Sequence, residues 1–198
     1  MDIPERKTAV ACVLLAAGSG TRFGGGKLLA EFDGKPLFER AMDALPDGAF
    51  VRTAVVSGDG DILAESLRRG FLAVRNDAPE EGVSRSIRLG LRAAEPCSAV
   101  LFLVGDQPLL TAGSVRRILA AGRENPDKII VPQRPDGQSG SPCLFPAAFF
   151  PELLLLEGDR GGRRVIRAHP EAVFPVSVPE EELADTDTKE ELRRLAKA

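Results

Sequence analysis

Short apolar runs alternate along the chain with stretches in which apolar residues recur every three or four positions. The runs are rich in β-branched residues, as buried strands are, and the spaced stretches are typical of helices that pack by one face. This alternation predicts a mostly parallel sheet covered by helices on both sides. The predicted strands are residues 10–16, 54–57, 71–75, 99–104, 129–132, 142–145 and 173–178. The predicted helices are residues 37–45, 62–69, 84–94, 114–122, 149–156 and 188–197.

One α/β domain over residues 1–198 accounts for this order of elements. Apolar residues make up 43% of the chain and charged residues 28%, which are ordinary values for a globular protein with a hydrophobic core. The formal net charge is −3, and the chain has no Trp and no Tyr. Binding of nucleic acid, which needs a basic surface and aromatic stacking platforms, is therefore not expected.

The cysteines and the apolar runs indicate the cellular compartment of the protein. Cys12, Cys97 and Cys143 stand singly among apolar residues, which is typical of buried thiols in a reducing environment and not of disulfides or a zinc site. The N-terminal segment lacks the apolar region of a signal peptide, and the apolar runs are too short to span a membrane. We therefore expect a cytoplasmic protein without a membrane partner.

A glycine-rich segment follows the first predicted strand. Residues 15–27 read Leu-Ala-Ala-Gly-Ser-Gly-Thr-Arg-Phe-Gly-Gly-Gly-Lys. Glycine permits positive φ and lets backbone N–H groups approach an anion closely. Arg22 and Lys27 add two positive charges. The segment is therefore predicted to bind phosphate groups.

Two common phosphate-binding patterns do not fit this segment. The dinucleotide fingerprint requires a glycine where Phe23 stands, and the turn signal at residues 33–36 leaves no room for the helix that follows it. A P-loop requires Ser or Thr after its Gly-Lys pair, whereas Leu28 follows Lys27. Thr21 stands where the first glycine of a P-loop would be.

The segment resembles instead the Leu-Ala-Ala-Gly-x-x-x-Arg-x-Gly-x-x-Lys signature of MobA-like nucleotidyltransferases. In that family the loop surrounds the triphosphate of an NTP. The resemblance implies a GT-A-like, Rossmann-related three-layer α/β/α fold with a mostly parallel mixed sheet. It also implies that Arg22 and Lys27 are catalytic, because they neutralise phosphate charge. The loop residues that it assigns to nucleotide binding are Leu15, Ala16, Ala17, Gly18, Ser19 and Gly20.

Asp106 stands in a Gly-Asp-Gln-Pro sequence directly after the predicted strand 99–104. Ligands of open α/β sheets bind beyond the carboxyl ends of the strands, and Mg²⁺ prefers carboxylate and phosphate oxygens. An aspartate here can also serve only as a turn or cap residue. Gly-Asp-Gln-Pro is similar to the metal-binding motif of molybdenum cofactor cytidylyltransferases in this family. The resemblance implies that Asp106 is a catalytic Mg²⁺ ligand and that Gln107 contacts the nucleotide.

A polar segment after the third predicted strand extends the resemblance. Ser84 and Ser86 stand at a predicted helix N-terminus, where hydroxyl and N–H groups can contact a base edge. Ser84 can equally act as a helix cap. Related cytidylyltransferases carry an Asn, a Gly and a pair of serines here. The similarity implies that Asn76, Gly82, Ser84 and Ser86 bind the nucleotide, with Ser86 at the pyrimidine.

Two later segments carry weaker motifs. Residues 185–188 resemble an Asp-Ile-Asp-Thr-Pro motif, which implies a second carboxylate near the metal from Asp185 or Asp187, with Asp187 assigned as the ligand. Such a pattern is also common at helix N-caps. Residues 157–163 resemble a Gly-Asp-Arg-Gly-Ala-Arg run, which implies acceptor contacts from Asp159, Arg160 and Arg163. A solvated basic turn would have the same composition.

Ser141 and His169 limit what the sequence predicts about the reaction. The family commonly has histidine where Ser141 stands, so the identity of the acceptor is open. His169 is the one histidine in the chain and has no partner pattern, so we interpret it as incidental. Without it no Ser-His-Asp triad can form, and hydrolysis by an activated serine is not expected.

The resemblance runs from Leu14 to about Leu192 and implies Mg²⁺-dependent transfer of CMP from CTP to a molybdopterin-type cofactor, with release of pyrophosphate. A molybdenum hydroxylase is then the expected client enzyme. A guanylyltransferase that uses GTP is an alternative, although such enzymes usually carry glycine where Ala17 stands. Another small phosphorylated acceptor, or a non-catalytic chaperone that binds the molybdenum cofactor, would also fit.

Overall fold

A mixed sheet with helices on both faces is built from short strands and helices along the chain. The computed structural model describes residues 9–18, 20–133 and 140–196. The strands are β1 (Val10–Leu15), β2 (Glu31–Phe32), β3 (Lys35–Pro36), β4 (Arg52–Ser57), β5 (Leu72–Arg75), β6 (Ala99–Val104), β7 (Ile129–Gln133), β8 (Cys143–Pro146) and β9 (Val173–Ser177). The α-helices are α1 (Leu37–Asp43), α2 (Gly60–Arg68), α3 (Val83–Ala94), α4 (Ala112–Glu124), α5 (Phe150–Leu154), α6 (Arg163–Ala168) and α7 (Lys189–Leu195).

The main sheet has seven strands in the order β5–β4–β1–β6–β8–β7–β9. Strand β8 runs antiparallel to its neighbours β6 and β7, whereas the other neighbouring pairs are parallel. Strands β2 and β3 form a separate antiparallel hairpin. The predicted mostly parallel mixed sheet is therefore confirmed.

Successive side chains of β1 point to opposite faces of the sheet, as the pleat of a strand requires. Cys12 and Leu14 belong to one buried cluster, which α1, α2 and α4 cover and to which Ile118 contributes. Val13 belongs to the other buried cluster, which α3, α5 and α6 cover and to which Leu91 contributes. The sheet is thus enclosed on both faces, and the predicted three-layer α/β/α architecture is confirmed.

The predicted elements are present with ends shifted by no more than two residues, except that residue 197 lies outside the described residues. The sequence predicted only a turn at residues 33–36, where the structure has the β2–β3 hairpin. Asp33 and Gly34 take φ values of 51° and 75°, as a two-residue hairpin turn requires. Strands of two residues are too short to show an alternating pattern, so they could not be predicted from periodicity.

Hydrogen bonds define the N-termini of α4 and α7. Thr111, and not Ser114, caps α4, because its hydroxyl oxygen accepts a hydrogen bond from the Ser114 N–H at 3.3 Å. Thr188 caps α7 in a reciprocal capping box with Glu191. Asp187 is therefore not the cap, and its carboxylate is available for other contacts.

The three cysteines are free thiols. Cys12 is fully buried, and Cys97 and Cys143 are partly buried. Burial raises the pKa of the Cys97 thiol to about 11 and that of the Cys143 thiol to about 12, so both are neutral at physiological pH. Among the described residues, no helix combines the length and the apolar character needed to cross a bilayer.

Candidate nucleotide and metal site

The parallel strands β5, β4, β1 and β6 end at the same edge of the sheet. The loops that leave these strand ends bring polar groups and backbone together, as expected for ligand sites in open α/β sheets. A cavity of about 450 Å³ opens there. Its lining includes the predicted site residues Leu15, Ala17, Gly18, Gly20, Arg22, Lys27, Gly82, Ser86, Asp106, Asp159 and Asp187.

The loop after β1 folds back on itself around Gly20. The carbonyl oxygen of Gly20 accepts hydrogen bonds from the N–H groups of Phe23 and Gly25 at 2.9 and 3.1 Å. Gly20 has a φ of 56°, and a Cβ atom there would lie 2.9 Å from the Cβ of Lys27. Only glycine suits this position, because both the backbone conformation and the close approach exclude a side chain. The turn carries Lys27 back to the cavity, while Ser19 lies outside the described residues.

Lys27 bridges two carboxylates that come from distant parts of the chain. Its Nζ atom lies 2.6 Å from Oδ2 of Asp106 and 2.9 Å from Oδ1 of Asp187. The Lys27 side chain is only 10% exposed. Arg22 contacts the other oxygen of Asp187 at 2.8 Å, from a largely exposed position. The structure therefore brings together the three predicted catalytic residues and the predicted second metal ligand.

The electrostatics of this cluster favour the charged forms of Lys27 and Asp187. Burial acts to lower the pKa of Lys27, but the charge of Asp106 and hydrogen bonds to both carboxylates outweigh it and raise the pKa above its usual value. The hydrogen bond from Lys27 is the main cause of a lowered pKa at Asp187, and Arg22 adds to it. At neutral pH Lys27 is a cation and Asp187 an anion.

The C-terminal segment reaches the site by hydrogen bonding to the loop after β6. The N–H and the hydroxyl group of Thr186 each donate to the carbonyl oxygen of Asp106 at 3.1 Å. The side-chain amide of Gln107 donates to Oδ1 of Asp185 at 3.0 Å and to the carbonyl oxygen of Ser141 at 3.1 Å. These contacts decide between the two carboxylates, because Asp185 faces Gln107 while Asp187 faces Lys27.

Gln107 does not lie where a nucleotide contact requires. It is 2% exposed, and its amide group faces the C-terminal segment, away from the cavity. The sequence resemblance suggested a nucleotide contact because Gln107 directly follows Asp106. In the structure the chain turns after Asp106, so neighbouring side chains point in different directions and Gln107 supports the segment that carries Asp187.

Asn76 forms hydrogen bonds with two residues of α3 beside the cavity. The amide of Asn76 donates to Oγ of Ser86 at 2.9 Å, and Oδ1 of Asn76 accepts from Nε of Arg85 at 2.9 Å. Ser86 lines the cavity and can still donate its hydroxyl hydrogen to a ligand. Ser84 is fully buried and accepts a hydrogen bond from Arg88 at 3.2 Å, so its side chain is not presented to the cavity.

Gly82 fixes how the start of α3 meets the turn at residues 158–159. Its φ is 88°, and a Cβ atom there would lie 2.3 Å from the carbonyl carbon of Gly158. The N–H of Ser84 donates to the carbonyl oxygen of Gly158 at 3.1 Å. This backbone contact holds Asp159 at the rim of the cavity. Gly82 therefore shapes the wall and has no side chain to contribute.

A second, more apolar cavity of about 200 Å³ adjoins the first, with which it shares Leu15, Val83 and Val104. Of the predicted acceptor residues, Arg163 lines it, whereas Asp159 lines the first cavity and Arg160 is exposed. The other residues that line it include Phe102, Ser141, Cys143, Phe145, Gly161, Gly162 and Ile166.

A third cavity, of about 480 Å³, lies on the other side of the β1 loop. It is lined by Asn76 and by residues that sequence reasoning did not select, among them Asp59, Arg75 and Asp77. Their signal was available, because Asp59 and Asp77 closely follow the carboxyl ends of β4 and β5. Leu28 and Pro79 were also missed, since apolar wall residues carry no chemical signature.

The carboxylates of Asp106 and Asp187 fit a magnesium ion. Both approach a single cation, the ammonium of Lys27, from separate loops. Mg²⁺ in proteins is commonly held by one or two carboxylates, with phosphate and water oxygens completing the octahedron. Among the described residues there is no group of three or more His, Cys, Asp or Glu side chains placed to hold a metal.

His169, which the sequence analysis interprets as incidental, contacts Glu152 and Phe149. Its Nε2 lies 2.8 Å from a carboxylate oxygen of Glu152, and its ring packs edge-on against Phe149 at 5.2 Å between centroids. Both partners belong to the turn and helix around α5. These contacts join α5 to the end of α6 and account for the histidine without a chemical role.

The fold and the site define an α/β protein of GT-A-like architecture, with a glycine-rich loop after β1 and carboxylates at the edge of the sheet. The profile of the MobA-like NTP transferase domain matches residues 12–173. The chain therefore belongs to the MobA-like NTP transferase family, and the resemblance seen in its motifs is confirmed.

Two relatives match along nearly the whole chain. The probable molybdenum cofactor guanylyltransferase of Thermococcus gammatolerans is 26% identical and is aligned over 93% of this chain and 97% of its own length. The purine catabolism protein PucB of Bacillus subtilis is 27% identical over 94% of this chain and 95% of its own length. With other matched relatives, which are bifunctional proteins, the chain shares a region of only a quarter to a third of their length.

Two solved structures share the fold of this chain. The crystal structure of Rv0371c from Mycobacterium tuberculosis superposes with a TM-score of 0.80 at 26% identity, over 96% of this chain and 99% of that one. A second crystal structure of Rv0371c is a complex with manganese and superposes with a TM-score of 0.75.

Proposed function

We propose that this protein is a Mg²⁺-dependent nucleotidyltransferase that transfers CMP from CTP to a molybdopterin-type cofactor and releases pyrophosphate. The observation that carries the proposal is the meeting of Lys27, Asp106 and Asp187 within 3 Å contacts at the cavity of the β1 loop. A cation, two carboxylates and a glycine-rich turn are what a triphosphate with its metal ion requires.

The proposed reaction is an in-line displacement at the α-phosphorus of CTP. A phosphate oxygen of the acceptor forms the new P–O bond, and the bond to the β-phosphate oxygen breaks as pyrophosphate leaves with the electron pair. Little covalent help is needed from the protein, because positioning and neutralisation of charge supply most of the acceleration in such transfers. Arg22 and Lys27 stabilise negative charge on the transferred and leaving phosphates.

Asp106 and Asp187 are the residues that would hold the metal ion. When bound there, Mg²⁺ supplies Lewis-acid neutralisation of the phosphate oxygens. The hydrogen bonds from Thr186 to the Asp106 carbonyl oxygen fix the spacing between the two carboxylates. The manganese complex of Rv0371c supports a divalent ion in this family.

The choice of base rests on two residues of the cavity wall. Ala17 stands where guanylyltransferases of the family usually have glycine, and Ser86 offers a hydroxyl group at the position that contacts the pyrimidine in related cytidylyltransferases. The name of the relative from Thermococcus gammatolerans favours GTP instead. GTP is therefore the second candidate donor.

The acceptor is assigned to the side of the site near Asp159 and Arg163. The second cavity opens there and shares the wall residues Leu15 and Val83 with the first. The relative named as a probable molybdenum cofactor guanylyltransferase supports a molybdopterin-type acceptor. Ser141 lines this cavity in place of the usual histidine, so another small phosphorylated acceptor is the alternative.

Pyrophosphate release tests the proposal. The protein is incubated with Mg²⁺, molybdopterin and each of ATP, CTP, GTP and UTP in turn, and CTP is expected to give the fastest release. Fastest release with GTP identifies a guanylyltransferase. Release with sugar phosphates but not with molybdopterin changes the acceptor. Tight binding of molybdopterin without any release identifies a chaperone for the cofactor, with a molybdenum hydroxylase as its client.

Substitution of Ala17 separates the two donors further. Ala17→Gly removes a methyl group from the cavity wall and leaves more space for the base. We expect the ratio of kcat/KM for GTP to that for CTP to rise by about tenfold. Ala148→Gly, which makes the same substitution at an exposed position between β8 and α5, serves as the matched control. An unchanged ratio in Ala17→Gly would remove Ala17 from the specificity argument.

A further inference from the structure

The ammonium of Lys27 lies between the carboxylates of Asp106 and Asp187, the two residues that would hold the metal ion. It contacts one oxygen of each carboxylate, at 2.6 and 2.9 Å, from a side chain that is 10% exposed. A lysine that served only to bind phosphates would be expected to face the open cavity. Here it instead joins the two groups that are proposed to bind the metal.

The charges of the cluster balance without any metal. Arg22 and Lys27 contribute two positive charges, and Asp106 and Asp187 contribute two negative charges. A free divalent ion entering this cluster would have to displace Lys27 and would leave an excess of positive charge in a partly buried place. A nucleotide triphosphate changes this balance, because its phosphates attract the ammonium and pair with the incoming ion.

We propose that in the free protein the ammonium of Lys27 pairs with the carboxylates of Asp106 and Asp187 and excludes a divalent ion. The ion binds only when the phosphates of a nucleotide attract the ammonium away from these carboxylates. This inference rests on the proposed metal role of Asp106 and Asp187. By linkage, nucleotide raises the affinity for the ion, and the ion raises the affinity for nucleotide by the same factor.

The structure allows this exchange with little rearrangement. The backbone of Lys27 is held in a short turn, where its carbonyl oxygen accepts the Ala30 N–H at 3.1 Å. The four-carbon stem can turn while that backbone stays in place, because lysine carries a compact charge on a flexible chain. Lys27 lines the same cavity as Gly18 and Gly20, so phosphates bound by the loop lie within its reach.

Binding of Mn²⁺ in the absence of nucleotide tests the proposal. The electron paramagnetic resonance signal of free Mn²⁺ is titrated against wild-type protein and against Lys27→Met, which keeps the apolar stem and removes the charge. We expect weak binding to wild type and a dissociation constant lower by roughly tenfold or more in Lys27→Met. Mn²⁺ should also raise the Tm of Lys27→Met but not that of wild type. Lys27→Gln repeats the test if Lys27→Met does not fold.

Two controls test whether tighter Mn²⁺ binding comes from removing the Lys27 ammonium from between the carboxylates or only from the loss of one positive charge. Arg22→Met removes the same charge from an exposed position and should alter the Mn²⁺ dissociation constant by less than about threefold. The double variant Lys27→Met/Asp106→Asn should lose the increase in Mn²⁺ affinity that Lys27→Met alone shows. The proposal is overturned if Lys27→Met binds Mn²⁺ no more tightly than wild type, if Arg22→Met gains as much, or if the double variant keeps the gain. If Lys27→Met binds Mn²⁺ more tightly than wild type, but the wild-type protein releases no pyrophosphate from any NTP, this inference is sustained and the proposed transferase activity is refuted.

Discussion

Lys27 and Arg69 each contact more than one carboxylate, but in different surroundings. Lys27 joins Asp106 and Asp187, which stand 79 and 160 residues away in the sequence, at the wall of a cavity. Arg69, which follows α2, binds Glu65 four residues earlier and Asp43 at the end of α1, both at 2.6 Å. The first cluster joins loops at the edge of the sheet, and the second joins two neighbouring helices.

The difference shows that ion pairs alone do not identify a site. Glu65 and Arg69 are a turn apart on the same stretch of helix, where such pairs add modest stability. The Lys27 cluster is formed by three loops that are far apart in the sequence. Its carboxylates also face space in which a ligand can bind. Asp43 also lines a cavity, of about 310 Å³, so an adjoining cavity does not by itself distinguish the two clusters. The distinction is that the Lys27 cluster joins loops from distant parts of the chain at the edge of the sheet, whereas the Arg69 cluster joins two helices.

The largest expected effect comes from a matched pair of aspartates. Asp106→Asn removes a metal-binding charge, and we expect turnover to fall by about 100-fold or more while the free energy of unfolding changes by less than about 1 kcal/mol. Asp43→Asn should weaken the helix cluster and leave turnover within about twofold. Pyrophosphate release and urea unfolding measure the two effects. Equal losses of turnover in both variants would remove the distinction between the clusters.

A second pair compares two lysines. Lys27→Ala removes a charge that stabilises the leaving phosphates, and we expect kcat to fall by about 10- to 100-fold with a smaller change in KM for the nucleotide. Lys35, which contacts Asp43 at 2.7 Å from an exposed position, is the control, and Lys35→Ala should retain full kcat. Steady-state kinetics decide, and unchanged kcat in Lys27→Ala would contradict its assigned role.

The helix cluster is tested by Arg69→Met, which keeps most of the apolar stem. We expect the free energy of unfolding to fall by about 1 to 2 kcal/mol, because hydrogen bonds to Glu65 and Asp43 are lost. Turnover measured below the new Tm should stay within about twofold of wild type. A large loss of turnover at unchanged stability would show that the cluster between α1 and α2 acts on the site.

The smallest effect is a pH dependence at Glu65. Hydrogen bonds from Arg68 and then Arg69 lower its pKa from 4.5 to about 2. A carboxylate with a lowered pKa stabilises the folded state above its unfolded pKa, and this contribution disappears as pH falls through the folded value. The stability difference between wild type and Glu65→Gln should therefore shrink between about pH 4.5 and pH 2. Urea unfolding across this range measures it, and a constant difference would contradict the assignment.

The strands and helices could be predicted from the sequence because their signals are local. The apolar run that became β6 was predicted with both ends correct, and the periodicity of α3 predicted this helix with its start one residue late. The β2–β3 hairpin was missed because strands of two residues have no period. The glycine-rich loop was recognised from its composition and spacing, since glycine at Gly20 follows from local backbone geometry.

Side-chain directions in the loops could not be predicted, because they depend on contacts with distant parts of the chain. Gln107 follows Asp106 directly, yet it turns toward Asp185 and away from the cavity. Ser84 and Ser86 differ in the same way, since only Ser86 faces the cavity. The cavities lined by Asp77 and by Phe145 were also not predicted, because each is formed by several elements together.

The sequence by itself determined the layered α/β fold, the phosphate-type loop at residues 15–27 and the family, because each depends on short-range patterns and spacing. Only the tertiary structure decided that Asp187, and not Asp185, faces Lys27. That choice depends on hydrogen bonds from Thr186 and Gln107 that join segments roughly 80 residues apart. Local sequence cannot encode a distance between such segments, whereas the packed sheet fixes it.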